Sequence, residues 1–368
     1  MSGIKILHAA DLHLDSPFEA LPEEKAAGRR REQRELLRRI AETARRERVQ
    51  LVLLPGDLLD TGSAYMETAA ELIGSLGSIG APVFIAPGNH DYYSPRSPYA
   101  KLQWPANVHI FKNPHIECVE LPSIGLRVWG AAFSDSRCAP LLSGFEAEKQ
   151  RGTVDVMCIH GEVGVRDSVY DPITEDEIAR SGMDYIALGH IHKKSGLKRA
   201  GDTYYAWPGC PEGRGFDETG DRCVYIVEVT EGGCSVREEQ VFLRRYEILK
   251  TEKTTAEEIL AELPAGAEND IYRIILTGET DEAPSLDGLR RGLDSCFFAL
   301  QLRDETRLRR DVWENAGDDT LRGIFLRILK ARMDAARTDE ERDAAEQAAR
   351  WGLAALDNRE EVNRREDK

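Results

Sequence analysis

Short apolar runs alternate with amphipathic stretches through the first quarter of the chain. Ile4 to Ala10, Leu51 to Leu54 and Val83 to Ala86 are each almost wholly apolar, the pattern of a strand buried on both faces. The stretch from Glu24 to Arg48 instead repeats Leu36, Leu37, Ile40, Ala41 and Ala44 on one side, which predicts a helix. A second amphipathic helix is predicted from Ala64 to Ser78. Strand, loop and helix therefore recur three times, the signature of α/β layering.

The pattern then changes. Ile116–Leu121, Leu126–Phe133, Val154–Ile159, Tyr185–Leu188, Thr203–Trp207, Cys223–Val229 and Ser235–Phe242 read as strands, the last two joined by a turn at Glu231-Gly232-Gly233. Many strands after the α/β repeats predict a two-sheet sandwich with helices outside. From Arg244 onward a β-α-β-α-β series follows: Tyr246–Lys250, a helix opened by Thr254-x-x-Glu257, Ile271–Leu276, a helix over Ser285–Ser295, and Cys296–Leu302. Beyond Arg307 the chain reads as helical. Leu321, Ile324, Phe325, Ile328 and Leu329 share one face, Thr338-x-x-Glu341 opens a further helix, and Asn358 to Lys368 form a charged, frayed end. The expected division is 1–243, 244–306 and 307–368.

Composition narrows the class. Of 368 residues, 41% are hydrophobic and 31% charged, ordinary for a soluble protein. No apolar run is long enough for a membrane span, and Met1 to Leu7 does not have the form of a signal peptide. Seven cysteines occur singly, without a CxxC pair, which points to reduced thiols and a cytoplasmic location. The net charge of −16 opposes nucleic-acid binding by itself. Its distribution matters more. Arg29, Arg30, Arg31, Arg38, Arg39, Arg45, Arg46 and Arg48 read as a solvated helix face among glutamates, whereas Lys193, Lys194, Lys198 and Arg199 follow a candidate metal motif and predict a local basic rim.

That candidate chemistry lies in five motifs: Asp11-Leu12-His13, Gly56-Asp57, Gly88-Asn89-His90-Asp91, His160-Gly161 and Gly189-His190-Ile191-His192. Each follows a predicted strand or ends one. On an extended segment, Asp11 and His13 would point the same way, and so would His190 and His192. Gly56 and Gly88 let the backbone turn sharply before Asp57 and Asn89. Each motif alone could be an ordinary turn, but five of the eight histidines fall in this ordered set. Carboxylate, imidazole and amide donors without cysteine suit two divalent ions of the manganese, iron or zinc type. His90 and Asp91 are left for acid–base work. His109 and His115 read as ordinary strand or surface residues, and His8 as a core or supporting residue.

In this order the motifs resemble the calcineurin-like metallophosphoesterase superfamily, over residues 1 to about 242. The resemblance implies a four-layer α/β/β/α sandwich, a small α/β capping domain and a helical C-terminal tail. It implies that Asp11, His13, Asp57 and His192 hold one ion, that Asp57, Asn89, His160 and His190 hold the other, and that Asp57 bridges. His90 would stabilise or protonate the leaving oxygen, with Asp91 orienting its ring. The segment Gly56-Asp57-Leu58-Leu59-Asp60-Thr61-Gly62 lacks the arginine of the family's protein phosphatases. The opening Ile6 to Asp15 and the stretch Trp207 to Gly220 are instead similar to the SbcD-type DNA repair nucleases, particularly their YhaO-like branch. That similarity implies a manganese-dependent DNA exonuclease, 3′-to-5′ by family precedent, with single-strand endonuclease activity as an added option. It also implies a homodimer formed through the helices after the second and third motifs. A coiled-coil ATPase of the SbcC type would dock on the tail, with the helix from Leu321 as the docking segment. A small-molecule phosphodiesterase of the cyclic-nucleotide type and a catalytically inactive scaffold protein are the competing readings.

Overall fold

A computed structural model describes residues 3–230, 233–280, 283–308 and 312–356. Glu231 and Gly232 of the expected turn, and the charged end from Asn358, lie outside them. The chain divides into two compact units. One comprises Met1–Leu249, Leu260–Ile274 and Arg291–Gln301; the other comprises Lys250–Ile259, Ile275–Arg290 and Leu302–Lys368.

The first unit is built on two six-stranded sheets. In one, the order is Gly233–Glu239, Val224–Thr230, Ile4–His8, Leu51–Leu54, Val83–Ile85 and Val108–Ile110. The last four of these run parallel, and Val224–Thr230 pairs antiparallel to both of its neighbours. In the other, the order is Lys198–Ala200, Thr203–Ala206, Tyr185–Gly189, Val154–His160, Leu126–Gly130 and Glu117–Leu121, with the four inner strands parallel.

Alternation along the strands explains why the runs are continuously apolar. Ile4, Ile6, Leu51, Leu53 and Phe84 pack against Val128, Val156, Cys158, Tyr185 and Ala187 of the second sheet. The intervening Leu7, Val52, Leu54, Val83 and Ile85 pack on the opposite face, against Leu36, Leu37, Ile40, Ala41 and Ala44 of the helix Glu23–Arg46 and Leu72 and Leu76 of the helix Met66–Gly77. Met157, Ile159, Ile186 and Leu188 are covered on the outer face of the second sheet by Leu142, Met183 and Ile178, the last from the short helix Glu175–Arg180. The result is the expected α/β sandwich with helices outside. Each fully buried leucine or isoleucine contributes about 1.5–3 kcal/mol.

The helix Glu23–Arg46 begins with Glu23 and Glu24 and ends with Arg45 and Arg46, which suits its dipole. Its basic residues do not form one solvated face. Arg38 pairs with Glu35 and Glu71, Arg46 with Glu239 and Arg30 with Glu23. Arg29 is fully buried.

Past residue 244 a three-stranded sheet has the order Tyr246–Thr251, Ile271–Leu276, Ala299–Asp304. The helix Ala256–Ala261 is capped by Thr255, whose hydroxyl accepts the Glu258 amide at 3.4 Å. The cap is one residue later than the expected Thr254-x-x-Glu257. In the second unit, the helices Leu321–Asp334 and Asp339–Leu356 share a small core of Val312, Leu326, Leu329 and Ala349. Thr338 accepts the Glu341 amide at 3.2 Å, as its spacing predicts. All seven cysteines are free thiols. Among the described residues no helix is long and apolar enough to cross a membrane.

Candidate metal centre

Parallel strands deliver their C-terminal ends to one edge, where α/β sheets gather ligands. Asp11, Asp57 and Asn89 follow three neighbouring strands of the first sheet. His160 ends one strand of the second sheet, and His190 and His192 follow the next. The loops are stitched together by their backbones. The Asp11 amide donates to Gly56 O at 3.2 Å, His13 to Asp57 O at 2.9 Å, and Leu14 to Leu58 O at 2.8 Å.

The ligand segments are not extended, contrary to the reasoning from alternation. Asp11, His13, Asp57 and His190 have φ of 54°, 43°, 51° and 92°. Such left-handed turns at non-glycine residues cost about 1–3 kcal/mol each and persist where the surroundings fix them. Gly56, with φ 85°, lies so close to the His160 ring that a β-carbon would collide with it. Gly189 is packed equally tightly on the Pro55 carbonyl.

Two clusters result. His13 Nε2 and His192 Nε2 face each other at 3.2 Å, with Asp11 beside them. Asn89 Oδ1 lies 2.9 Å from His160 Nε2 and 3.2 Å from His190 Nδ1. Asp57 stands between, with Oδ2 3.7 Å from His13 Nε2 and 3.5 Å from His160 Nε2. All seven residues expected as ligands are thus brought together.

His90 is exposed at the same site, its backbone amide on Asp57 Oδ1 at 3.0 Å. Its ring does not rest on Asp91, which corrects the expected pairing. His90 Nδ1 donates to Asp60 O at 3.0 Å. The Asp91 side chain turns inward. It accepts the amides of Gly88 at 2.9 Å, Asp57 at 3.3 Å, Leu58 at 2.8 Å and Leu59 at 3.1 Å, and the Tyr99 hydroxyl. Asp91 therefore ties two ligand loops together and is not available to a substrate.

Three supporting residues escaped the reading of the sequence. Glu218 Oε1 lies 2.7 Å from His192 Nδ1. Arg214 spans from Glu218, 2.8 Å, to Asp60, 3.1 Å, and Asp60 Oδ1 lies 3.2 Å from His13 Nδ1, angled off a full hydrogen bond. Both Arg214 and Glu218 belong to the stretch Trp207–Gly220, whose motif gave no hint of a partner in the metal loops. The predicted basic rim is less free than expected, because Lys194 pairs with Glu238 and Arg199 with Asp202. Lys193 and Lys198 are exposed. Of the other histidines, His8 is core, bonded to Tyr185 and Leu188; His109 packs with Phe84 and Phe111; His115 is exposed.

The donor set fits divalent ions. Burial pushes His13, His160 and His190 down to about 4, so their rings are neutral and can donate a lone pair at neutral pH. Burial also pushes the Asp11 carboxyl up to about 7, with the His192 ring pulling it back and Asp57 adding to the rise. Asp11 Oδ2 is buried with no hydrogen-bond partner among the described residues. A carboxylate oxygen in that position lacks a counter-charge that a cation would supply. His192 behaves differently: burial alone would lower it, but the Glu218 hydrogen bond and the Asp11 carboxylate leave it raised. Glu218 is in turn held well below the usual carboxylate range, because its bonds to His192 and Arg214 outweigh burial.

The calcineurin-like phosphoesterase family matches the chain over residues 4–194. The uncharacterized metallophosphoesterase YhaO of Bacillus subtilis is 31% identical over 345 residues, covering 87% of this chain and 82% of that protein. The SbcD component of the SbcCD nuclease of the same organism is 26% identical, over 62% of this chain and 67% of its own length. The DNA double-strand break repair protein Mre11 of Aeropyrum pernix is 29% identical, over 56% of this chain and 53% of its own length.

Proposed function

The chain belongs to the calcineurin-like phosphoesterase family, and on that premise we propose that it is a metal-dependent DNA exonuclease serving DNA repair in the cytoplasm. The observation that carries the reading is the convergence of Asp11, His13, Asp57, Asn89, His160, His190 and His192 on one edge of the sandwich. Asp11, His13 and His192 would hold one divalent ion, Asn89, His160 and His190 the other, and Asp57 would serve both, with manganese the foremost candidate. DNA as substrate is supported by the likeness to Mre11 and to the SbcD component of the SbcCD nuclease. The same likeness supports a homodimer and an SbcC-like coiled-coil ATPase partner. Leu321, Ile324 and Ile328 form an exposed apolar stripe on the helix Leu321–Asp334, and we assign the partner to it.

Ions held there supply Lewis acidity toward a phosphodiester and acidify water. The protein's own part is positional. Asp57 Oδ1 is occupied by the His90 amide, which leaves Oδ2 facing both histidine clusters. The Asp60 carbonyl fixes the proton of His90 on Nδ1, so Nε2 is the atom presented to a substrate oxygen. In the imidazolium form Nε2–H can donate to a leaving 3′ or 5′ oxygen, a contribution of about 10²–10⁴ in rate.

The test is digestion of end-labelled duplex and single-stranded DNA with Mn²⁺, with Mg²⁺ and with chelator, beside His90→Ala. Mn²⁺-dependent nucleotide release that the variant loses is the expected result, and the labelled end reveals polarity. Turnover of cyclic AMP or a small diester with DNA left intact would replace the nuclease reading with a small-molecule phosphodiesterase. No hydrolysis of any diester, with no ion bound, would leave only the scaffold reading.

A further inference from the structure

The two halves of the centre are backed by different chemistry. We propose, resting on the two-metal reading above, that the half built on Asp11, His13 and His192 takes its ion first and holds it more tightly, and that Glu218, Asp60 and Arg214 are the positioning residues that set this difference.

The contrast begins with the ligands themselves. Asp57 is common to both halves and favours neither. Beyond Asp57, the first half has the Asp11 carboxylate beside both of its histidines, with Asp11 also near His160, whereas both histidines of the second half meet the neutral Asn89 amide. A divalent ion gains more from the charged donor, and most of all where burial excludes water. Asp11 is fully buried, and its Oδ2 has no other partner among the described residues.

The backing of the histidines repeats the contrast. A ligating imidazole becomes more basic when its other nitrogen meets a carboxylate. His192 turns Nε2 toward the centre and Nδ1 onto Glu218 at 2.7 Å, while His13 has Asp60 3.2 Å from Nδ1. In the second half, His160 Nδ1 donates to the Pro55 carbonyl at 3.0 Å, which carries no formal charge. The carboxylate near His190, Glu162, stands 4.0 Å from Nε2, beyond hydrogen-bond reach. Arg214 holds Asp60 and Glu218 in place, and one guanidinium between two carboxylates leaves a negative charge behind the first half. Arg214 also approaches His192 Nδ1 at 3.1 Å, so its own positive charge opposes the ion unless Glu218 neutralises it. Losing Glu218 therefore harms this half twice, by freeing the ring and by uncovering the arginine.

The experiment is stepwise addition of Mn²⁺ to the metal-free full chain, followed by calorimetry and by electron paramagnetic resonance. Two binding steps at least about tenfold apart are expected. The first equivalent should give the spectrum of an isolated Mn²⁺, and the second should convert it to that of a coupled pair. Glu218→Gln should weaken the tight step by about 10- to 100-fold and leave the weak step unchanged. A purely structural defect would move both steps together. Asp60→Asn acts through His13 and should weaken the same step, which guards against a Glu218 variant that does not fold. Two equal steps in the wild type, a coupled spectrum at the first equivalent, or an unchanged tight step in both variants would overturn the ranking alone. Absence of any Mn²⁺ binding would remove the two-metal reading itself, and the ranking with it.

Discussion

The Tyr99 hydroxyl donates to Asp91 Oδ2 at 2.5 Å, in a buried position beneath the metal loops. It is one of five donors that converge on that carboxylate, and the other four are backbone amides of the Gly56 and Gly88 loops and their extensions. Removing a hydrogen bond to a charged group costs about 1.5–3 kcal/mol. Tyr99→Phe should therefore lower the unfolding free energy by that amount, read as a lower urea midpoint at unchanged slope, with the proposed ligand side chains intact. A variant as stable as the wild type would show that Asp91 is held by its amides alone.

Arg29 and Glu212 form an ion pair with both side chains buried, assisted by Glu32 and by the Gly213 carbonyl. Breaking one member of such a pair costs about 3–5 kcal/mol, because the other charge stays buried. Arg29→Met is expected to lose that much, and adding Glu212→Gln should return most of it. A double variant no better than Arg29→Met would contradict the pairing. Glu212 precedes Arg214 and Glu218 in the same segment, so the single variant should also weaken Mn²⁺ binding.

Stability should carry a pH signature from Asp171. This residue is fully buried, with Oδ1 on the Leu141 amide at 2.6 Å and Oδ2 without a hydrogen-bond partner among the described residues. Burial pushes its carboxyl from 3.8 up to about 7. A raised folded value means that the folded chain keeps a proton which the unfolded chain releases. Stability from this group then falls as pH rises from about 4 to about 7, and levels off above that. Asp171→Asn abolishes this slope. The melting temperature of the variant minus that of the wild type, both metal-free, should climb across that window. A difference that stays flat would refute the assignment.

Asp11 links stability to metal. Without a cation, its unpartnered buried oxygen is a burden on the fold. In chelator, Asp11→Asn should match or exceed the wild type in melting temperature. With Mn²⁺ the order should reverse. An ion at a hundred times its Kd stabilises the wild type by about 2.7 kcal/mol, and the variant should gain far less. Equal gains in both proteins would show that Asp11 is not a ligand.

The convergence of the proposed ligands could be read from the sequence because each follows or ends an apolar run, and strand ends of parallel sheets meet at one edge. His13, Asp57, Asn89 and His190 needed only that rule. The partners of those ligands were hidden because the pairings are tertiary. Arg214 reaches Asp60 across 154 positions, and Glu218 reaches His192 across 26. Asp91 was misplaced for the opposite reason. Adjacency to His90 suggested a dyad, but the loop turns one side chain outward and the next inward. The three-residue strand Val108–Ile110 offers too short a run to detect. The helix Glu175–Arg180 carries a capping box in Thr174 and Glu177, but its six residues are too few for a helical periodicity to show.

Four of the seven proposed ligands come from the first sheet and three from the second, and this gives the centre a place in the life of the chain. During synthesis, Asp11, His13, Asp57 and Asn89 leave the ribosome before His160, His190 and His192. The early group offers two carboxylates, an amide and a single imidazole, with Asp11, His13 and Asp57 in left-handed turns. The full set of donors therefore exists only where both sheets have come together. An ion once bound fastens early chain to late chain, so it should slow unfolding far more than it speeds folding.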